Sequence, residues 1–143
     1  MSERGDEYQI RPYDPETDEA FVFRAWLEGH WPGYAGAAVT PKSTYLVEWH
    51  RLIERILSAP DTTTVVATVV DTLVGFACAC SDCCLHWCYV KQPFRGQQIG
   101  YALNSDLGLG GSGAEPRVCS HWSPHLHPAG WSYDPRILRR YQP

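Results

Sequence analysis

The residues whose types and spacing could do chemistry are concentrated in one stretch, Cys88-Tyr-Val-Lys-Gln-Pro-Phe-Arg-Gly-Gln-Gln-Ile-Gly-Tyr-Ala-Leu103. It reads as a strand that passes through a short turn into a helix, with Arg95, Gly96, Gln97, Gln98, Ile99 and Gly100 at the junction. A helix start offers backbone N–H groups that lack intrahelical acceptors, its dipole favours negative charge, and small residues let an anion approach. Arg95 adds a charged fork. The junction therefore suits a phosphate group, with an ordinary strand-to-helix turn as the plainer alternative.

Histidines and cysteines supply the other reactive groups. His86 lies two residues before Cys88, on the same expected strand face, and an imidazole suits proton removal near neutrality. His121, on an adjacent expected strand, is the rival base; either can instead be a core histidine. His125 and His127 sit in a proline-rich segment with no specific ligand spacing. Of the six cysteines, Cys78, Cys80, Cys83, Cys84 and Cys88 are close together and Cys119 stands apart. The Cys80 to Cys83 spacing, with His86 nearby, is compatible with zinc and makes a metal-stabilised domain one reading. Alternation of Cys78 and Cys80 with Ala77 and Ala79 favours the other, small buried thiols on one strand face.

The elements that position these groups follow from periodicity. A short strand over 8–13 leads to Asp14-Pro15-Glu16, a helix start with a side-chain cap and proline in the first turn, and the helix runs to about 28. A glycine-rich loop over 29–36 follows, in which Trp31 and Tyr34 could stack on a planar or cationic group. Leu46, Trp49, Leu52, Ile53, Ile56 and Leu57 recur at helical spacing over 42–57. β-Branched and apolar runs predict a hairpin over 62–70 and 73–80, turning at Asp71-Thr72, and a further strand over 84–90. A helix over 98–107, a flexible connector over 109–116 and a last strand over 117–122 complete the order. Residues 1–7 are expected to be flexible and 123–143 irregular, with the basic run Arg136-Ile-Leu-Arg-Arg140 a solvated tail or helix end. This order means a mixed α/β or α+β domain.

Composition narrows the class. The 143 residues, 44% hydrophobic, can bury one substantial core and are too few for two ordinary domains. A net charge of −4 argues against nucleic-acid binding through a large basic surface. No membrane-spanning or secretory pattern is visible, which predicts a cytoplasmic protein.

The strand, then Val90-Lys-Gln-Pro-Phe-Arg-Gly-Gln-Gln-Ile-Gly100, then the helix resembles the pyrophosphate-binding motif of the GNAT superfamily of acyl-CoA N-acyltransferases. That motif reads Arg or Gln, two variable residues, Gly, a variable residue, then Gly or Ala. Arg95 and Gly100 match it, and Gln98 stands where the first glycine would be. Phe23-Arg-Ala-Trp-Leu27, Leu85-His-Trp-Cys-Tyr-Val90, Cys119-Ser-His-Trp122 and Tyr133-Asp-Pro135 are also similar to small GNAT-like proteins of tailed bacteriophages.

The resemblance implies a GNAT-like fold, a central, mostly antiparallel mixed sheet flanked by helices, with a shortened C-terminal half. It implies acetyl-CoA or another acyl-CoA as donor and a primary amine of a small molecule, protein or modified nucleobase as acceptor. It also implies roles: the backbone of Cys88, Tyr89 and Val90 toward the pantetheine and acyl carbonyl, Glu28 and His30 at a wall facing the amine, and Tyr133 as general acid. A GNAT-like domain that binds without catalysis is the competing reading.

Overall fold

The computed structural model describes residues 7–33, 39–80, 84–108, 118–121 and 132–141. Six strands form one sheet in sequence order: β1 (Tyr8–Pro12), β2 (Thr62–Val69), β3 (Thr72–Cys80), β4 (Cys84–Val90), β5 (Val118–Cys119) and β6 (Ser132–Tyr133). Pairing is antiparallel from β1 to β4 and parallel from β4 to β6, the expected mixed sheet. Helices α1 (Pro15–His30) and α2 (Lys42–Ser58) cover one face, and α3 (Ile99–Asp106) packs on the other.

The start of α1 follows the sequence closely. Asp14 is extended and its carboxylate accepts from the Glu16 N–H at 3.0 Å, with Pro15 in the first turn. One turn on, Asp18 is buried and accepts both terminal nitrogens of Arg11, at 2.8 and 2.9 Å, and the Asp14 N–H at 2.8 Å. Burial alone would push this carboxyl up; the donors hold it below its usual range. The pair ties β1 to α1.

On the α1 and α2 side the core gathers Val22, Trp26, Tyr45, Ile53, Phe76, Cys78 and Trp87. On the α3 side it gathers Val65, Val74, Ala77, Ala79, Leu85, Ile99 and Leu103. Cys78 opposite Ala77 and Ala79 is the alternation expected of a strand with small core thiols.

Three local expectations are corrected. The β2–β3 turn is Val70-Asp71, one residue earlier than expected, and both residues have positive φ, 49° and 65°, as a tight hairpin turn requires. The C-terminal segment is not irregular throughout: β6 forms, and Pro135–Tyr141 is a 3₁₀ helix. Leu138 and Tyr141, three apart, turn into the core while Arg140 lies 3.5 Å from Asp61, so the basic run is not a free tail. His86 and Cys88 do not share a face. The register of β3 with β4 shifts between Cys78–Trp87 and Ala79–Leu85, leaving His86 as an extra residue in a β-bulge. The bulge sends Trp87 to the α1 side and Cys88 to the α3 side.

Candidate active site

Two groups of residues lie at the two ends of the β4 segment from His86 to Val90. The first is a cleft of about 400 Å³ lined by Val90, Phe94, Arg95, Gly96, Gln98, Ile99 and Gly100. The chain leaves β4 through a 3₁₀ turn at Gln92–Phe94, anchored by Lys91 N–H to the Val74 carbonyl at 2.7 Å. Arg95 is braced rather than loose: its Nε donates to the Val90 carbonyl at 2.7 Å and the guanidinium lies 5.8 Å from the centre of the Tyr89 ring. Its terminal nitrogens have no partner among the described residues.

Gly96 then takes φ 83° with open space where a Cβ would project. Gln98 takes φ 67° and caps α3, so the helix begins at Ile99 and not at Gln98. The first helical bond is Ala102 N–H to the Gln98 carbonyl at 3.0 Å, which leaves the N–H groups of Ile99, Gly100 and Tyr101 without helical acceptors. A Cβ on Gly100 would meet Val90 Cγ2 at 3.8 Å, ordinary contact, so alanine would fit there. Gly96, Gln98, Ile99 and Gly100 thus line one cleft with Arg95; Gln97 is not among its lining residues. Phe94, which also lines it, was identified in the sequence only as part of the motif frame; its place between Pro93 and Arg95 was the available signal.

The second group lies where β4 and β5 part. Their pairing is limited to Cys84–Val118 and Leu85–Cys119, and the Ser120 N–H to Leu85 carbonyl bond, 3.0 Å, closes it among the described residues. Beyond that fork the backbone of Cys88, Tyr89 and Val90 pairs, among the described residues, with β3 alone. At its base sits a buried histidine cluster. The His121 ring centre is 5.0 Å from that of His30 and 6.4 Å from that of His86. Trp26, Trp49 and Trp87 enclose it at 5.3, 5.2 and 5.9 Å. Ser120 Oγ contacts His86 Nδ1 at 2.6 Å and His121 Nδ1 at 2.9 Å, while His86 Nε2 contacts the Tyr141 hydroxyl at 3.1 Å. Burial, with His30 and His86 alongside, pushes the His121 pKa well below its usual value. Burial lowers that of His30 to about 4.

The other candidates are placed differently. His30 is 3% exposed in the last turn of α1, its Nδ1 in hydrogen-bond contact with the Tyr45 hydroxyl, which lies within reach of the Leu27 carbonyl. Glu28 is exposed and pairs with Arg24 at 3.6 Å. Trp31 packs on Tyr45 with ring centres 4.6 Å apart. Tyr133, 46% exposed on β6, is two strands from β4 and does not line the cleft. Tyr34, Cys83, His125 and His127 lie outside the described residues. Among the described residues no group of three His, Cys, Asp or Glu side chains is placed to hold a metal ion. Nor is any helix among them long and apolar enough to cross a membrane.

Sequence reasoning missed Ser120 and Tyr141. Ser120 carries no motif, and Tyr141 was hidden in the basic run, where the three-residue spacing of Leu138 and Tyr141 was the only sign of a buried face.

No family model matches the sequence, and no curated protein matches it either. Among solved structures, an aminoglycoside N-acetyltransferase, AAC(6')-Iy, in complex with CoA is similar over 99% of this chain and 90% of its own, with 18% identity and a TM-score of 0.53. A GCN5-related N-acetyltransferase from Rhodopseudomonas palustris is similar over 70% of this chain and 62% of its own, with 23% identity and a TM-score of 0.50. The chain also spans 11% of a fungal multi-domain β-N-acetylglucosaminidase with a GCN5-related glucosamine N-acetyltransferase region, at 17% identity and a TM-score of 0.47 over 69% of this chain. The fold is that of the GNAT acetyltransferases.

Proposed function

We propose that this protein is an acyl-CoA-dependent N-acyltransferase that moves an acetyl or related acyl group from its CoA thioester to a primary amine. The observation that carries the reading is the cleft at the end of β4, where a braced guanidinium, a glycine at positive φ and an open helix start line one space of about 400 Å³. These residues fit a pyrophosphate: two charge-assisted donors from Arg95 and backbone donors at Ile99 and Gly100, beside the room left by Gly96. From there the pantetheine arm follows the side of Cys88, Tyr89 and Val90 that faces away from β3, toward the fork. The thioester carbonyl is polarised by backbone donors of that edge, and a neutral histidine at the base of the fork takes a proton from the amine. Burial supports the neutral form of His121. Tyr133, remote from this path, is given no part.

The direct test is calorimetric titration with acetyl-CoA of the wild type and Arg95→Ala. Saturable binding weakened in Arg95→Ala supports the reading; no heat at millimolar acetyl-CoA sinks it.

A second reading, binding of CoA without turnover, is favoured by Gln98, whose side chain lines the cleft in place of a glycine. Thiol release from acetyl-CoA across a panel of polyamines, aminoglycosides and lysine peptides separates the two. Tight binding with no release from any amine favours the second.

A further inference from the structure

The chemistry of one hydroxyl gives the histidine cluster a direction. Ser120 Oγ carries a single proton and lies within hydrogen-bond distance of two imidazole nitrogens, His86 Nδ1 at 2.6 Å and His121 Nδ1 at 2.9 Å. It can donate to only one of them, so the other must donate to it. With neutral rings, that choice fixes both tautomers. If Ser120 donates to His86, then His121 is protonated on Nδ1, His86 on Nε2, and His86 donates to the Tyr141 oxygen at 3.1 Å. The inner end of this chain is His121 Nε2, buried in a residue that is 1% exposed and without a hydrogen-bond partner among the described residues. Nine-tenths and more of such buried polar atoms are paired, so this one calls for a reason. The outer end, the Tyr141 hydroxyl, is itself buried and lies beside Thr62, whose Oγ1 donates to the partly exposed Asp61 at 3.4 Å.

We propose that His121, Ser120, His86 and Tyr141 form a charge-neutral proton relay, in which His121 Nε2 receives a proton at the inner end and Tyr141 passes one outward toward Thr62 and Asp61. Each step is a transfer along an existing contact. Nε2 of His121 accepts the incoming proton as its Nδ1 proton passes to Ser120 Oγ; the Ser120 proton passes to His86 Nδ1; the His86 Nε2 proton passes to the Tyr141 oxygen; and the Tyr141 proton leaves by way of Thr62 and Asp61. One proton enters and one leaves, no bond other than N–H and O–H changes, and no imidazolium is formed. That last point answers the energetic objection to a buried base, since burial and the neighbouring rings of His30 and His86 disfavour a charged His121. In reverse, His121 Nε2 gives its proton to a leaving thiolate while Ser120 returns one to Nδ1, His86 reprotonates Ser120 and Tyr141 reprotonates His86 Nε2, which resets the chain. The two histidines are thus not rival bases. His121 is the end that meets a substrate, and Ser120, His86 and Tyr141 act through it as positioning and relay residues. The relay's use in acyl transfer rests on the proposed function; its existence does not.

The test therefore uses the protein without substrate. With ¹⁵N-labelled histidine, NMR reads which ring nitrogen of each histidine carries the proton. In the wild type His121 is protonated on Nδ1 and His86 on Nε2. Tyr141→Phe removes the acceptor that holds His86 in that form, so the Ser120 hydroxyl turns and the His121 proton is found on Nε2. In Ser120→Ala the two rings are uncoupled, and adding Tyr141→Phe no longer moves the His121 proton. Tyr45→Phe, which removes a hydroxyl bonded to His30 outside the chain, leaves His121 unchanged. His121 protonated on Nε2 in the wild type, His121 unmoved by Tyr141→Phe, or an equal change in Tyr45→Phe would each overturn the relay. Failure of acetyl-CoA to bind, by contrast, sinks the acyltransferase and leaves this result standing.

Discussion

Gly96 and Gln98 both take a positive φ on either side of Gln97, 83° and 67°. Glycine adopts it freely, whereas a side chain costs about 1 kcal/mol there. The resemblance to a glycine-bearing motif at position 98 thereby gains a physical cause in this chain: the backbone bends there as a glycine would, and glutamine bears the strain. Gln98→Gly is expected to raise stability by up to about 1 kcal/mol, offset in part by the greater freedom of the unfolded chain. It is also expected to tighten acetyl-CoA binding, because the glutamine side chain lines the cleft. Gln98→Val, β-branched at positive φ, moves both quantities the other way. Urea midpoints and calorimetric titration measure the two, and a lower midpoint for Gln98→Gly contradicts the strain.

Gly75 is required for space rather than for φ. A Cβ on it would lie 2.7 Å from the Tyr89 carbonyl oxygen, a backbone atom that cannot swing aside. Gly75→Ala is expected to cost about 1–3 kcal/mol by pushing β3 from β4. The same Cβ would lie 3.4 Å from Cα of Val90, which lines the cleft, so acetyl-CoA affinity falls with it. Denaturant titration of the variant checks this; a loss under about 0.5 kcal/mol would mean the strands yield without strain.

How much of this was legible in the sequence depended on whether a residue type announces its geometry. The helix of α2 and the cap at Asp14 did so, through apolar spacing and side-chain chemistry. The cleft did so through Arg95 and its glycines. The β2–β3 turn did not, because Val70 is β-branched, extends the strand pattern by one residue, and gives no hint that it will take φ 49°. The bulge at His86 was invisible for a related reason: alternation is the default reading of a strand, and no residue type marks where one residue is extra. That single insertion separated His86 from Cys88 and aimed it at Ser120 and Tyr141.

The thiols give a third prediction. Burial raises the pKa of Cys78 and Cys88 to about 12 and of Cys119 to about 11. Cys84 is raised as well, first by its hydrogen bond with Cys80 and then by burial. Thiolate is the reactive form, so these four remain protonated and inert near neutrality while the fold holds. Alkylation with iodoacetamide at pH 8, read by mass spectrometry, should leave them unmodified in the native protein and modify them quickly in guanidinium. Rapid native modification of Cys78 or Cys119 would show that the thiol rows are not packed as described.

Acid stability follows from the same burial acting on cations. His30 has its pKa lowered from 6.5 to about 4, so the unfolded chain binds a proton that the folded chain refuses throughout that window. Stability is full above the unfolded value and declines as pH falls from about 6.5 toward 4, at about 1.4 kcal/mol per pH unit for a histidine that stays neutral when folded. His121, also lowered, adds a parallel loss that continues further down. Asp18 acts separately: its carboxyl is held below 3.8, so its contribution is present above that value and disappears as pH falls through the folded one. Urea unfolding between pH 7 and 4.5 should therefore show a slope that His30→Asn reduces by about one proton's worth. Asn keeps a donor near the Tyr45 hydroxyl but cannot titrate. A slope identical in the wild type and His30→Asn would mean that His30 gains its proton in the folded state, and that the cluster around His121 opens to water before the protein unfolds.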